Sequence, residues 1–381
     1  MSFESSLTAA VDRVHNGAEN RQMVKIYSHI DADGLTAGAI LAKTLLRAQI
    51  PFQIRILRQL EPSYINQIAG DYGQSPFLSI FADFGSGQIE QLAQLLPPGD
   101  IMIFDHHEIP PNATVELPYH YNPEFFGMDG GKDVSGAGMS YLFARALDPA
   151  NKNLAELAVV GATGDRQDNG EGHSLTGLNQ EIASDGVATG TIEIIQGIRL
   201  FGRETRSIPN ALSMSTEPFI KGLTGNPSAC EHIVTSLGIN IFDAQQNRPR
   251  TLADLSAEET QTLLSGLVNF CVVNLNVEPQ LVLNLIGTIY TFPREPKSKP
   301  LRDAQEYASL LNSCGRTGHP DIGIGIAMGD RVTMLAEAET ILNEYRHQLR
   351  DTLDWIEREN VISEKENIYV LDGEGIIEER V

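Results

Sequence analysis

Four times within its first 170 residues, the chain carries an apolar run into acidic or histidine residues. VKIYSHI (Val24 to Ile30) leads to Asp31 and Asp33, and FLSIFADF (Phe77 to Phe84) carries Asp83. IMIF (Ile101 to Phe104) opens onto Asp105, His106 and His107, and the run Leu154 to Gly161 is followed by Asp165. Between the β-rich runs lie helical patterns at Leu35 to Arg47 and Met139 to Ala146. Alternation of this kind folds as an α/β domain around a parallel sheet. In an open sheet the carboxyl ends of parallel strands share one edge, and ligands bind there. Residues far apart in the chain are therefore expected to converge on one pocket.

The chemistry of that pocket follows from its residue types. In HIDADG (His29 to Gly34) two carboxylates two positions apart sit in a tight turn closed by Gly34. Four carboxylates in one pocket (Asp31, Asp33, Asp83, Asp165) repel one another unless they are protonated or bridged by cations. Histidine beside carboxylate suits Mn²⁺ or another borderline divalent ion, while an all-oxygen set leans to Mg²⁺. The histidines come from Asp105-His106-His107, and the whole is an inventory for two metal ions acting on a phosphoryl group. Taken singly, each element has a plain explanation, because aspartates after strands are often turn formers or helix caps. All four in order, each at the end of an element, are hard to explain that way.

Composition narrows the class. The 381 residues allow two or three domains, and 41% hydrophobic with 20% charged residues is ordinary for a globular chain. No run approaches the ~20 apolar residues of a membrane span. The start, MSFESSLTAAVDRVHNG, lacks the basic end and apolar core of a signal peptide, so the expected location is cytoplasmic, with no membrane partner. Cys230, Cys271 and Cys314 are too scattered for a disulfide framework and are expected to be buried thiols. A net charge of −22 argues against gripping nucleic acid by bulk electrostatics, and requires any cationic contact surface to be local.

The motifs HIDADGLTAG, FADFGSGQ, DHH and GDRQD resemble motifs I to IV of the DHH phosphoesterase superfamily, in order and at similar spacing. HYNPEFF (His120 to Phe126), SGAGMSYLFARAL (Ser135 to Leu147) and LRDAQEYASLLNSCGRTGHPDIGIGIAMGD (Leu301 to Asp330) resemble the archaeal-type RecJ-like exonucleases, which include GINS-associated nucleases. The resemblance implies a two-metal exonuclease that acts on single-stranded DNA or RNA with 5′→3′ polarity. Its cofactors would be two divalent ions, Mn²⁺ preferred and Mg²⁺ accepted, and a replisome protein of the GINS type is an implied partner. Asp31 and Asp33 would each bind one metal, Asp83 would bridge the two, and His106 and Asp165 would complete the second site. His107 would meet the phosphate or the metal shell, Asp105 would orient the histidines, and His29 is favoured as a further ligand.

The remaining readings are coarser. NSCGRTGHP (Asn312 to Pro320) reads as a helix end and glycine turn before a strand-like DIGIGIAMG. It is equally a helix cap or a phosphate-contacting loop presenting Arg316 and His319. The stretch Arg199, Arg203, Arg206 has helical spacing and a basic face, and with Arg294, Lys297, Lys299 and Arg166 supplies candidate strand contacts, of which Arg166 and Arg203 are the favoured two. Ala253 to Asn274 reads as helix, Leu281 to Phe292 as strand, and Ile341 to Ile356 as one face of a long amphipathic helix. The expected domains are a DHH catalytic domain over 1–190, a helical and mixed connecting region over 191–335, and a long helix over 336–381 that starts a DHH-associated substrate-binding domain. That domain's Gly-Gly-Gly-His signature is absent, so it is expected to be incomplete. Two rivals share these motifs: a phosphodiesterase for short oligonucleotides or cyclic dinucleotides, and a replisome scaffold without catalysis.

Overall fold

The computed structural model describes residues 3–215, 219–275, 285–359 and 361–373. Helix α1 (Phe3–Glu19) precedes β1 (Met23–His29), α2 (Ala32–Arg47), β2 (Phe52–Leu57), α3 (Pro62–Gln74), β3 (Phe77–Ala82), α4 (Ile89–Leu95), β4 (Ile101–Phe104) and β5 (His120–Tyr121). The five strands form one sheet in the order β2-β1-β3-β4-β5, with every pair parallel.

Side-chain alternation explains why the strands read as continuous apolar runs. Val24, Ile26, Leu78, Ile80, Met102 and Phe104 point into one core. Tyr27, Phe77, Phe81, Ile101 and Ile103 point into a second, smaller core under α3 and α4. Both faces are covered, so neither register of a strand meets water. The larger core is closed by α1, α2, α5 (Gly136–Leu147) and α6 (Ala155–Gly164). The chain reverses strand order between β1 and β3, and the carboxyl ends of these two neighbours are where a doubly wound sheet opens a crevice.

Beyond α7 (Gly177–Ala188), β6 (Glu193–Ile198) pairs antiparallel with β9 (Ile286–Thr291). Between them lie α8 (Ile208–Ser213), α9 (Pro227–Ser236), the short pair β7 (Phe242–Asp243) and β8 (Arg248–Pro249), and α10 (Ala257–Leu275). These elements build a separate core that includes Leu212, Leu223, Val234, Leu263 and Leu267. The chain then returns to the first core through α11 (Ala304–Arg316), α12 (Pro320–Met328) and the start of α13 (Thr333–Glu359), before the hairpin β10 (Ile362–Lys365) and β11 (Ile368–Leu371). The three cysteines are buried and unpaired.

Two readings of local structure are corrected. DIGIGIAMG is helical, not strand-like: Pro320 occupies the first turn of α12, and the alternating glycines serve close packing. A Cβ on Gly323 would lie 2.7 Å from Leu35. The Arg199 to Arg206 stretch is a chain of turns after β6 rather than a helix. The strand expected from Leu281 begins at Ile286, and residues 281–284 lie outside the described residues.

Candidate metal centre

The loop after β1 turns at once into α2. Asp31 caps that helix through one oxygen, which accepts the Gly34 N–H at 2.9 Å. Its other oxygen lies 2.9 Å from His29 Nδ1. Asp33, fully buried in the first turn, accepts the N–H groups of Gly136 at 2.6 Å and Ala137 at 3.0 Å, both at the start of α5. Two unsatisfied helix N–H groups and the positive end of the α5 dipole thus hold this carboxylate in place. The backbone crowds closely here: a Cβ on Gly161 would meet Asp33 Oδ1 at 2.3 Å, and one on Gly136 would meet Asp83 Oδ1 at 2.7 Å.

Asp83 follows β3 with φ of +63°, a conformation that aspartate tolerates better than most residues. The kink aims both carboxylate oxygens into the pocket, where they are buried and, among the described residues, have no hydrogen-bond donor. Among the described residues His106 Nε2 and His29 Nδ1 are likewise buried without a hydrogen bond of good geometry, although carboxylate oxygens stand close to both. His106 Nε2 stands 3.2 Å from Asp83, 3.1 Å from Asp165 and 3.6 Å from Asp33. Its other nitrogen, Nδ1, donates to the Gly130 carbonyl at 2.6 Å, leaving Nε2 deprotonated in the neutral ring and available as a ligand.

Around this inner set lies a second layer. Asp105 accepts from Ser86 N–H at 2.8 Å, His106 N–H at 2.8 Å and His107 Nδ1 at 2.8 Å, so it positions both histidines. Gln167 donates to the Gly130 carbonyl at 2.9 Å and accepts from Asn179 at 2.6 Å. From α11, Asn312 accepts the Ala32 N–H at 2.8 Å. Gln167, Asn312 and the carbonyl of Gly130 are not among the residues that sequence singles out. The first two stand inside GDRQD and NSCGRTGHP, whose motif positions are their one sequence signal, while a backbone carbonyl leaves no mark in sequence.

The electrostatics state the problem this pocket poses. Burial pushes the Asp33 carboxyl well above its usual range, and Asp83 and Asp165 add to the push. Asp165 is raised by burial as well. Burial alone would lower His29, but Asp31 and Asp83 outweigh it and raise the imidazole to about 11. His106 is raised in the same way by Asp165 and Asp83. Asp83 is held low in spite of its burial by His106 and His29. Protons on the two imidazoles thus act as counter-ions for the carboxylates.

Among the described residues three groups have ligand atoms within 4.8 Å of one another: His29, Asp31 and Asp83; Asp33, Asp83, His106 and Asp165; and Asp83, His106 and His107. Asp83 belongs to all three. The orphaned oxygens of Asp83 and the bare nitrogens of His29 and His106 fit divalent cations, which would replace the imidazole protons. His107, with its side chain 56% exposed, stands at the rim.

A cavity of about 1170 Å³ adjoins the centre, lined by Thr163, Gly164 and Arg166 on either side of Asp165, and by Phe201, Arg316 and Tyr345. A second cavity, of about 490 Å³, touches His29, Asp83 and His107. The structure therefore brings Arg166 and Arg316 to the larger cavity, where Arg316 also reaches Tyr345 Oη at 3.5 Å. His319 is exposed just before α12 and is not part of that lining. Arg203 pairs with Glu204 at 3.2 Å, Arg199 with Asp168, and Lys299 with Glu339 at 2.9 Å, so each has a carboxylate within the protein.

The chain resembles known proteins in sequence and in fold. The sequence model of the DHH family, N-terminal domain, matches residues 23–162, and that of the DHH-CID domain matches residues 200–286. An uncharacterized protein of Methanocaldococcus jannaschii is 28% identical over 352 residues, covering 92% of this chain and 73% of that one. The single-stranded-DNA-specific exonuclease RecJ of Thermus thermophilus is 27% identical over 188 residues, 46% of this chain but 26% of RecJ. Among solved structures, exonuclease RecJ bound to manganese superposes with a TM-score of 0.53 at 16% identity, over 93% of this chain and 70% of that one. CDC45 from Entamoeba histolytica superposes with a TM-score of 0.64 at 10% identity, over 93% and 74% of the two chains. At these identities the superpositions establish the fold.

Proposed function

From the premise that the chain belongs to the DHH superfamily and is RecJ-like, we propose that it is a metal-dependent phosphodiesterase that removes mononucleotides from the end of single-stranded DNA or RNA. The observation that carries this reading is the set of ligand groups that share Asp83. His29 and Asp31 would hold one cation; Asp33, His106 and Asp165 would hold the other. When bound, two divalent ions, Mn²⁺ by preference, would activate water near neutral pH and neutralise charge developing on the phosphoryl group.

The protein's own residues do the rest. Asp105 accepts a hydrogen bond from His107 Nδ1, which leaves Nε2 at the exposed rim to meet a phosphoryl oxygen. Arg166 and Arg316 line the larger cavity and can each offer a guanidinium fork to the strand's phosphates. The polarity is 5′→3′, by likeness to the family. The acidic remainder of the chain suits a basic protein partner, for which a GINS-type replisome component in the cytoplasm is the reading. Catalysis takes precedence over a scaffold role because every metal-binding position is filled by a competent ligand.

The test is Mn²⁺-dependent nucleotide release from a 5′-labelled single-stranded oligonucleotide, with Asp83→Ala as control. Mononucleotide release by the wild type alone is expected. Silence from both, with metal binding intact in the wild type, would overturn the nuclease reading and favour the scaffold.

A further inference from the structure

The larger cavity runs away from the metal centre to an aromatic side chain with an unusual charge around it. Phe201, in the turn after β6, lines the cavity together with Tyr345 of α13. Over its ring sit two guanidiniums, Arg206 at 4.9 Å and Arg346 at 5.5 Å from the centroid. Arg206 comes from the turn that Phe201 begins, and Arg346 from α13, so elements far apart in the chain bring them together.

Both side chains are half-buried, and among the described residues neither has an ion pair or a hydrogen-bond acceptor. Burial lowers both, and the like charges of Arg346 and Arg350 lower Arg206 further. The carboxylate that attracts both is Glu306. Its oxygens are already engaged, accepting the Glu204 N–H at 2.7 Å and the Thr205 hydroxyl. The Arg206 stem lies against Gly202 (φ +85°), where a Cβ would come to 2.4 Å from Arg206 Cδ.

Half-buried like charges held together without an anion cost free energy, and a chain of net charge −22 has ample carboxylates to neutralise them. The arrangement is what a phosphate-binding pair looks like before its phosphate arrives. A planar guanidinium laid on an aromatic ring keeps its fork in place and its edge free for bidentate contact. The cavity volume of about 1170 Å³ also exceeds the roughly 300–1,000 Å³ typical of small-molecule pockets, which suits more than one nucleotide.

We infer that Arg206 and Arg346, oriented by Phe201, form a second phosphodiester-binding subsite that borders the larger cavity through the Phe201 ring and holds the single strand there. The identity of the anion rests on the functional reading above; the subsite itself rests on the placement of the two arginines.

The experiment is fluorescence-anisotropy titration of the full chain with a labelled single-stranded oligodeoxythymidylate, in Ca²⁺ in place of Mn²⁺, across a series of salt concentrations. Replacing both residues (Arg206→Ala with Arg346→Ala) should weaken binding roughly 10- to 100-fold. It should also flatten the dependence of log K on log salt by about 0.7 for each phosphate no longer neutralised. The double lysine variant (Arg206→Lys with Arg346→Lys) should keep the wild-type slope, since it keeps the charge. An alanine variant with the wild-type slope would overturn the subsite, as would a lysine variant that falls as far as alanine, because the loss would then be one of packing. A wild-type chain that binds no strand would overturn it too. If the slope changes as expected but the wild type hydrolyses nothing in Mn²⁺, the subsite stands and the catalytic reading falls.

Discussion

The chain buries acidic side chains in two places, and it treats them in opposite ways. At the strand ends, Asp33 and Asp83 are fully inside the protein; Asp33 accepts two helix N–H groups, whereas among the described residues neither oxygen of Asp83 has a hydrogen-bond donor, and the imidazoles of His29 and His106 face it. At the junction of the second region with α11, Glu204, Asp303 and Glu306 are just as deeply buried. There the donors are supplied. Asp303 accepts from Gln305 N–H at 2.9 Å and Glu306 N–H at 3.1 Å, Glu306 accepts from Glu204 N–H and the Thr205 hydroxyl, and Glu204 accepts from Ser298 N–H at 3.1 Å. Burial of carboxylates is therefore a poor sign of a cation site. Burial without donors is a good one, since an unpaired buried charge persists only where something outside the chain completes it.

The contrast is broken most directly at Asp83. Asp83→Asn keeps a residue that tolerates positive φ but removes the charge shared by all the ligand groups. Nucleotide release should fall by more than roughly 100-fold, beyond the loss expected for an outer-layer residue. Mn²⁺ at about 100 times its dissociation constant should stabilise the wild type by about 2.7 kcal/mol per site and the variant by almost nothing. Thermal melts with and without Mn²⁺ give the answer, and a variant still stabilised in full would mean that the orphaned oxygens mark no metal site. A smaller loss is expected one layer out. Asp105→Asn leaves the inner ligands in place but weakens the hold on His106 and His107, and should cost about 10- to 100-fold in activity or metal affinity. Activity unchanged across a Mn²⁺ titration would remove Asp105 from the positioning layer.

The same contrast marks how far sequence can be read. Asp31, Asp83 and Asp105 were legible because strand periodicity of two, followed by a polar turn, places them at one sheet edge whatever the details. That Asp83 aims both oxygens inward depends on one positive φ, and that His106 offers Nε2 depends on a carbonyl at Gly130; neither has a sequence pattern. DIGIGIAMG misled because its alternation mimics a strand, whereas its glycines answer to packing against Leu35 and Met334. The arginines of the second region misled differently. Spacing suggested one basic face, yet Arg199 and Arg203 are consumed by Asp168 and Glu204, and only Arg206 is left to meet a residue from a distant helix. Local periodicity cannot show which charges the rest of the chain will neutralise.

The satisfied cluster yields the weaker, purely structural effects. Glu306→Ala leaves the Glu204 N–H and the Thr205 hydroxyl without their acceptor, at about 1–3 kcal/mol for each buried group stranded. A loss of about 3 kcal/mol in urea denaturation, the same with and without Mn²⁺, is expected. A loss that Mn²⁺ repairs would mean that this cluster too is a cation site, and the distinction between the two would fail.

The finest test uses pH. Burial raises Glu306 to about 7 from its ordinary 4.5, with Asp303 adding to the push. Asp303 itself is raised by burial to about 6 from 3.8. A carboxyl raised on folding binds its proton more tightly in the native state, so the native chain holds more protons than the unfolded one between the two values. Its stabilising contribution is complete below the unfolded value and is lost as pH climbs through the folded one. Between about pH 4.5 and 7, Glu306 should therefore make stability fall as pH rises, by at most about 1.4 kcal/mol per unit. Glu306→Gln, which cannot ionise, should be flatter than the wild type by that amount when both are unfolded in urea with EDTA present. Equal slopes would mean that the hydrogen bonds from Glu204 and Thr205 hold Glu306 ionised at its ordinary pKa. The two acidic clusters would then differ in their partners alone and not in the charge they carry.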